Sequence, residues 1–242
     1  MIAIKTEKLT KKYRDVTAVD ELSLEIAEGE LFALLGVNGA GKTTTIKMLS
    51  CLTAPTSGDA TVNGKSILTD SEEIKRIIAV SPQETAIAPG LTVKENLELI
   101  AGVHGFDKQK RTGKINELTS LLSLDSVIDR KAGKLSGGWQ RRLSIAMALI
   151  SEPKILFLDE PTLGLDVIAR SELWDLIRAI KSKSTIILTT HYMEEAEALS
   201  DRIAIMKDGR LLICDNAENI KRIAGKDSFE QAFIAIVKGV AK

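Results

Sequence analysis

The spacing of apolar residues changes several times along the chain, and each change predicts an element. Ile2 and Ile4 sit among small or polar neighbours, as do Leu22, Leu24 and Ile26. That period of two predicts half-buried strands of an antiparallel sheet with one wet face. Glu28-Gly29-Glu30 predicts a turn. Leu31 to Leu35 then runs apolar without alternation, as a strand buried on both faces does. A Gly-rich stretch follows, and a helix is expected over Thr44 to Leu52. An Asn63-Gly64 turn separates strand-like pieces between Asp59 and Ile67. Ile77 to Val80 predicts another short buried strand.

Residues 92–150 change character. Leu97, Ile100, Leu118, Leu121 and Leu122 recur at helical spacing, which predicts an inserted, mostly helical subdomain. Buried strands return at Ile155 to Leu158 and Thr185 to Leu188. The helix between them is expected to turn Ile168, Leu173, Leu176, Ile177 and Ile180 inward. Asp208-Gly209 predicts a hairpin joining Ile203–Met206 to Leu211–Cys214. Asp227 to Val237 reads as a short amphipathic end.

Charge and cysteine usage narrow the classes. Lys plus Arg equals Asp plus Glu, at 33 each, so no overall basic excess points to nucleic acid. Cys51 and Cys214 fit no metal or disulfide spacing and read as buried thiols of a reducing cytosol. The longest apolar runs fall far short of the ~20 residues of a membrane span. The chain is therefore not expected to cross a membrane by itself.

Two segments carry chemistry. Gly36-Val37-Asn38-Gly39-Ala40-Gly41-Lys42-Thr43 fits G-x-x-x-x-G-K-[ST], with a buried strand before it and a helix after it. Its glycines allow backbone N–H groups to turn toward phosphate oxygens, and the helix adds the positive end of its dipole. Lys42 brings a full charge to the β- and γ-phosphates of ATP, Thr43 can ligate Mg²⁺, and Thr44 can donate to a phosphate. The strand Ile155 to Leu158 ends in Asp159-Glu160, at the sheet edge where ligands bind. Asp159 is placed to hold Mg²⁺ through its water shell. Glu160, expected on the other side of the extended chain, can polarise an attacking water as general base.

Leu135-Ser136-Gly137-Gly138, followed by Gln140-Arg141-Arg142-Leu143, lies between these segments. It resembles the signature of ATP-binding-cassette (ABC) ATPases, and the likeness runs from Lys5 to about Cys214. Further positions match in order. Tyr13 resembles the residue that stacks on adenine, with Val16 to Val19 beside the ring. Gln83 resembles the glutamine that reaches Mg²⁺ and the water. Pro161 to Asp166 resembles the loop at the dimer seam, and His191 the histidine at the γ-phosphate. Two positions depart. Val37 stands where proline is frequent, and Trp139 stands where glutamine is frequent; the indole can modify the cap or pack on the helical subdomain.

The resemblance implies an α/β P-loop NTPase fold: a mainly parallel sheet, an antiparallel β subdomain and the inserted helical subdomain. It implies a nucleotide-binding domain over 1–215, with 92–150 inserted, and a short helical extension over 216–242. It implies an Mg-dependent ATPase whose site is split. Ser136, Gly137 and Gly138 of a second copy cap the ATP held by the first, so ATP joins a homodimer. Separate membrane permease subunits are the implied partners, docking near Ala86 to Leu97 at the cytoplasmic face of the plasma membrane. Thr190 to Glu197 and Ser228 to Ile234 resemble the bacterial exporters of drugs, antibiotics, lipids, polysaccharides or sodium. A cassette acting in DNA repair or translation, and a module that binds nucleotide without turnover, are the rival readings. Glu160 and His191 argue against the second.

Overall fold

The computed structural model describes residues 1–181 and 183–239. Long strands β1 (Ile2–Tyr13) and β2 (Val16–Ala27) lead into β3 (Leu31–Leu35) and helix α1 (Lys42–Leu49). The strands β4 (Ser57–Val62) and β5 (Lys65–Ser66), helix α2 (Ser71–Lys75) and strand β6 (Ile78–Ser81) follow. Then come helices α3 (Val93–Val103), α4 (Lys108–Leu121) and α5 (Gly137–Leu149). The chain returns through β7 (Ile155–Asp159), α6 (Val167–Ile180), β8 (Thr185–Thr190) and α7 (Met193–Leu199). It finishes with β9 (Arg202–Lys207), β10 (Arg210–Asp215), α8 (Ala217–Ala224) and α9 (Phe229–Val237).

These strands form two sheets, an antiparallel one ordered β2-β1-β4-β5 and a larger one ordered β10-β9-β3-β8-β7-β6. In the larger sheet every pair is parallel except β10 with β9. The unalternating runs are explained by two cores. Leu31, Ala33 and Leu35 pack on the helical side, whereas Phe32 and Leu34 pack between the sheets. Strands β7, β8 and β9 divide their side chains in the same way. Burial on both faces is what makes a parallel strand read as continuous apolar sequence.

Residues 92–150 do carry helices, with Leu97, Leu118 and Leu122 buried. Their apolar side chains join the same core as the sheet. The hairpin at Asp208-Gly209 has both turn residues at positive φ, 48° and 79°, the type that matches strand twist. The C-terminal region forms two helices; Phe229, Ala232 and Phe233 of α9 enter the core. Residues 240–242 of the expected 216–242 extension lie outside the described residues.

Several local expectations are corrected. Ile2 is exposed, because the β1–β2 register slips between Ile2 and Ile4. The first helix starts at Lys42, with Gly41 in a left-handed turn before it, and stops at Leu49, where Cys51 turns left-handed at φ 58°. Ile168 is exposed, because it sits about 140° around the helix from the Leu173–Ile177–Ile180 stripe. Both cysteines are half-buried rather than buried. In Thr92 to Leu97 the side chains of Val93, Asn96 and Leu97 face the interior, so they cannot line an outer groove.

Candidate functional site

The parallel register gathers the motif residues. Leu35 pairs with Thr190, Asp159 with Thr189, and Ser81 with Leu158. The carboxyl ends of β3, β8, β7 and β6 therefore lie side by side. Each hands over to one segment: Gly36 to Thr43, His191, Glu160 and Gln83 respectively. Ligands bind outside such strand ends.

Lys42, the first residue of α1, is buried. Its Nζ donates to the carbonyls of Gly36 at 2.8 Å and Val37 at 3.3 Å, so the lysine arches back over its own loop. The Glu160 carboxylate lies 3.6 Å from the same atom. Burial lowers the Lys42 pKa, and Glu160 and Asp159 partly restore it. A phosphate placed here adds a second anion to the buried ammonium beside Glu160. The tight approach of chain segments requires glycine at two points. A Cβ on Gly41, at φ 99°, would lie 2.4 Å from the Ala18 carbonyl, and one on Gly36 would lie 2.5 Å from the Met206 carbonyl.

Asp159 ends β7 beside two hydroxyls. The Thr43 Oγ1 donates to its Oδ1 at 3.1 Å and the Thr189 Oγ1 at 2.5 Å. Glu160 is not on the extended strand. It takes φ 47°, and its N–H is held by both the side chain and the carbonyl of Thr189. That turn aims its carboxylate at Lys42 and at His191, whose Nδ1 lies 3.0 Å from Oε2. Left-handed backbone at a non-glycine residue costs about 1–3 kcal/mol and clusters at functional sites.

Lys42, Thr43, Glu160 and His191 line a cleft of about 770 Å³, whereas Asp159 is buried behind Thr43 and is not among the lining residues. Asn38 to Thr44, Gln83, Glu160 and His191 are on its wall. So are Val16, Thr17 and Ala18. Val19 is not: it is fully buried and packs beneath Gly41. Gly36 and Val37 serve as acceptors for Lys42 rather than as wall. Tyr13 is half-exposed beside Lys11 and is not among the lining residues. Ser136, Gly137 and Gly138 are also not among them. Ser136 stands at the N-cap of α5 with no capping bond from its hydroxyl, and it and Gly137 are exposed. The Trp139 indole packs on the core, with the Arg142 guanidinium 4.8 Å above it.

Sequence reasoning missed Asp208 and Leu163 on the wall, and Thr189 behind Asp159. Asp208 arrives because the hairpin tip docks on β2, where the Asp20 N–H donates to the Gly209 carbonyl at 2.9 Å. Its only trace in the sequence is the Asp-Gly turn.

The donors suit Mg²⁺ beside a polyphosphate. A hydroxyl and a carboxylate are hard oxygen ligands, and Mg²⁺ is ordinarily held by one or two carboxylates plus substrate phosphates. Among the described residues no cluster of three His, Cys, Asp or Glu forms a cage of its own.

A parallel sheet delivering a phosphate loop, a carboxylate and a histidine to one cleft, with a second carboxylate behind the loop threonine, defines a P-loop nucleotide-binding domain. Its family follows from sequence: the pattern of the ABC transporter family matches residues 19–163, and the chain belongs to that family. It is 42% identical to phospholipid-transporting ATPase ABCA3 of Homo sapiens over 226 residues, 92% of this chain but 13% of that protein. It is 41% identical to Nod factor export ATP-binding protein I of Burkholderia pseudomallei over 205 residues, 84% of this chain and 67% of that one. In structure it resembles a dimeric ATP-binding cassette in a post-hydrolysis state bound to ADP and Pi. That match has a TM-score of 0.79 and 28% identity, and covers 88% of this chain and 98% of the other.

Proposed function

We propose that the chain binds and hydrolyses ATP to drive export through separate membrane permease subunits, working as a pair of copies. One observation carries this reading: Lys42, Glu160 and His191 converge within 3.6 Å contacts on one cleft, while Ser136 and Gly137 are exposed outside it. The chain thus has the catalytic half of a site and, elsewhere, an anion cap for another copy's site.

In this reading the loop from Asn38 to Thr44 holds the phosphates, and Lys42 balances their charge. Tyr13 and Val16 flank the adenine. Thr43 and Asp159 hold Mg²⁺ with Gln83 beside it, and the ion when bound adds positive charge at the transferring phosphoryl group. Glu160 takes a proton from the attacking water. His191 fixes Oε2 of Glu160 and leaves the other oxygen toward Lys42. The partner copy's helix N-terminus, with its Ser and two Gly, closes the far side.

The membrane partners would dock on the 92–150 arm of the 1–215 domain and on the loop Ala86 to Leu91. That loop is pinned by buried Asn96, which accepts from the Ala88 N–H at 2.8 Å and donates to the Thr92 carbonyl at 2.8 Å. No described helix is long and apolar enough to cross a membrane.

The test is steady-state phosphate release by the wild type and by Glu160→Gln, with size-exclusion chromatography in saturating MgATP. The expected result is turnover in the wild type, a loss of about 10²–10⁴-fold in Glu160→Gln, and an ATP-dependent dimer of the variant. Absence of turnover in the wild type, even with a membrane partner, overturns the enzyme; a variant that stays monomeric overturns the pairing.

A further inference from the structure

Arg141 lies on the second turn of α5 and is buried, 5% exposed. Its Nη1 donates to the Pro82 carbonyl at 2.6 Å, and its Nη2 to the Gln83 carbonyl at 2.6 Å. Nη2 also reaches the Glu160 carbonyl at 3.5 Å. All three acceptors are main-chain carbonyls, not carboxylates. Burial pushes its pKa down, and the fields of Asp159 and Glu195 partly offset that.

A buried charge with no contacting counter-ion is costly. A methionine would fill the same space without that cost. What a guanidinium adds is a planar fork with fixed donor directions, able to hold acceptors from two loops at once. The two loops are those of Gln83 and Glu160, both on the cleft wall. The helix bearing the fork begins one turn earlier with Gly137 and Gly138. A helix is stiff over one turn, so a displacement at its start is carried to Arg141.

We propose that Arg141 is a positioning residue that ties α5 to the Gln83 loop and to Glu160. A shift of the α5 N-terminus then moves both wall residues together. Contact by a second copy at Ser136 to Gly138 would thereby set the water-binding side of the neighbouring cleft in the same chain. The proposal rests on the ATPase reading for its consequence, but the tether itself does not need turnover to be seen.

The experiment compares wild type, Arg141→Gln and Arg141→Lys as full chains. It measures phosphate release, amide hydrogen exchange and thermal unfolding. In Arg141→Gln, kcat is expected to fall about 10–100-fold with KM within about threefold, the scale of a small misplacement of reacting groups. Exchange at residues 83–86 should rise about tenfold, while exchange at 36–43 stays unchanged. Arg141→Lys keeps the charge but not the fork, and should lie between the two. Unchanged exchange at 83–86 in Arg141→Gln overturns the tether. So does a rise spread evenly over the whole chain with kcat and binding lost together, which marks a merely structural role. If Arg141→Gln does not fold, Arg141→Lys decides by the same two readings. If the wild type releases no phosphate, the ATPase reading falls, and the exchange result still decides the tether.

Discussion

The Oε2 atom of Glu160 lies 3.0 Å from Nδ1 of His191. Its other oxygen lies 3.6 Å from Lys42, so the carboxylate is held at both ends. Removing the imidazole frees Oε2 to rotate but leaves the phosphate loop untouched. His191→Ala should therefore lower phosphate release about 10²-fold with nucleotide affinity within about threefold. Turnover equal to wild type, measured at saturating MgATP, would show that Glu160 needs no such support.

The loop geometry makes a sharper demand at Gly41 than at Gly39. Both have positive φ, 99° and 83°. A Cβ at Gly41 meets the Ala18 carbonyl at 2.4 Å, whereas one at Gly39 meets nothing within 4 Å. Gly39→Ala should cost about 1 kcal/mol of stability, the strain alone. Gly41→Ala should cost about 3 kcal/mol or more and abolish nucleotide binding, because Ala18 must move and it lines the same cleft. Thermal unfolding with titration of a fluorescent ATP analogue checks both; equal effects would mean that the clash is relieved cheaply.

Glu195 carries the pH prediction. It is fully buried; Oε1 accepts from the Trp174 indole at 3.2 Å, and the Thr190 and Thr162 hydroxyls lie beside the carboxylate. Burial raises its pKa above the ordinary 4.5. The folded state therefore holds a proton more tightly than the unfolded chain. The stability this gives is fully present below about pH 4.5 and is lost as pH rises through the folded value. Glu195→Gln keeps the acceptor for Trp174 without the charge. It should raise the Tm about 2–4 °C near neutral pH, with the gain vanishing toward about pH 4.5. A gain that grows on acidification would reverse the sign and refute the account.

What the sequence revealed and what it hid divide along physical lines. The unbroken run Leu31 to Leu35, the glycine spacing up to Lys42 and the acids after Leu158 were legible because burial on both faces and phosphate binding each demand a residue pattern. The aim of Glu160 was not legible, because it depends on a left-handed φ of 47° that no neighbour encodes. Ile168 was misread because one apolar residue off the stripe looks like its neighbours until the helix phase is fixed. Val19 was assigned to the cleft by adjacency, yet in β2 it faces inward. Thr189 and Asp208 came into the site through strand register and hairpin docking. Those are long-range contacts that local periodicity does not carry.

The exposed start of α5 gives the most decisive test of a site shared between copies. A Cβ on Gly137 would meet only the Leu165 side chain, at an ordinary 3.7 Å. An acid there also suits a helix N-terminus. Gly137→Asp should therefore fold with a Tm within about 2 °C of wild type and bind nucleotide normally. If a second copy caps the phosphates, the new carboxylate repels them, and phosphate release should fall about 10²-fold or more. Lys42→Ala should also be inactive, from loss of the loop's charge. The two defects fall on opposite halves of the site. A mixed dimer then contains one intact pairing: the loop of the Gly137→Asp chain with the cap of the Lys42→Ala chain. Mixing the two inactive proteins should restore measurable turnover, rising with the product of their concentrations. A site completed within one chain predicts no recovery at any ratio.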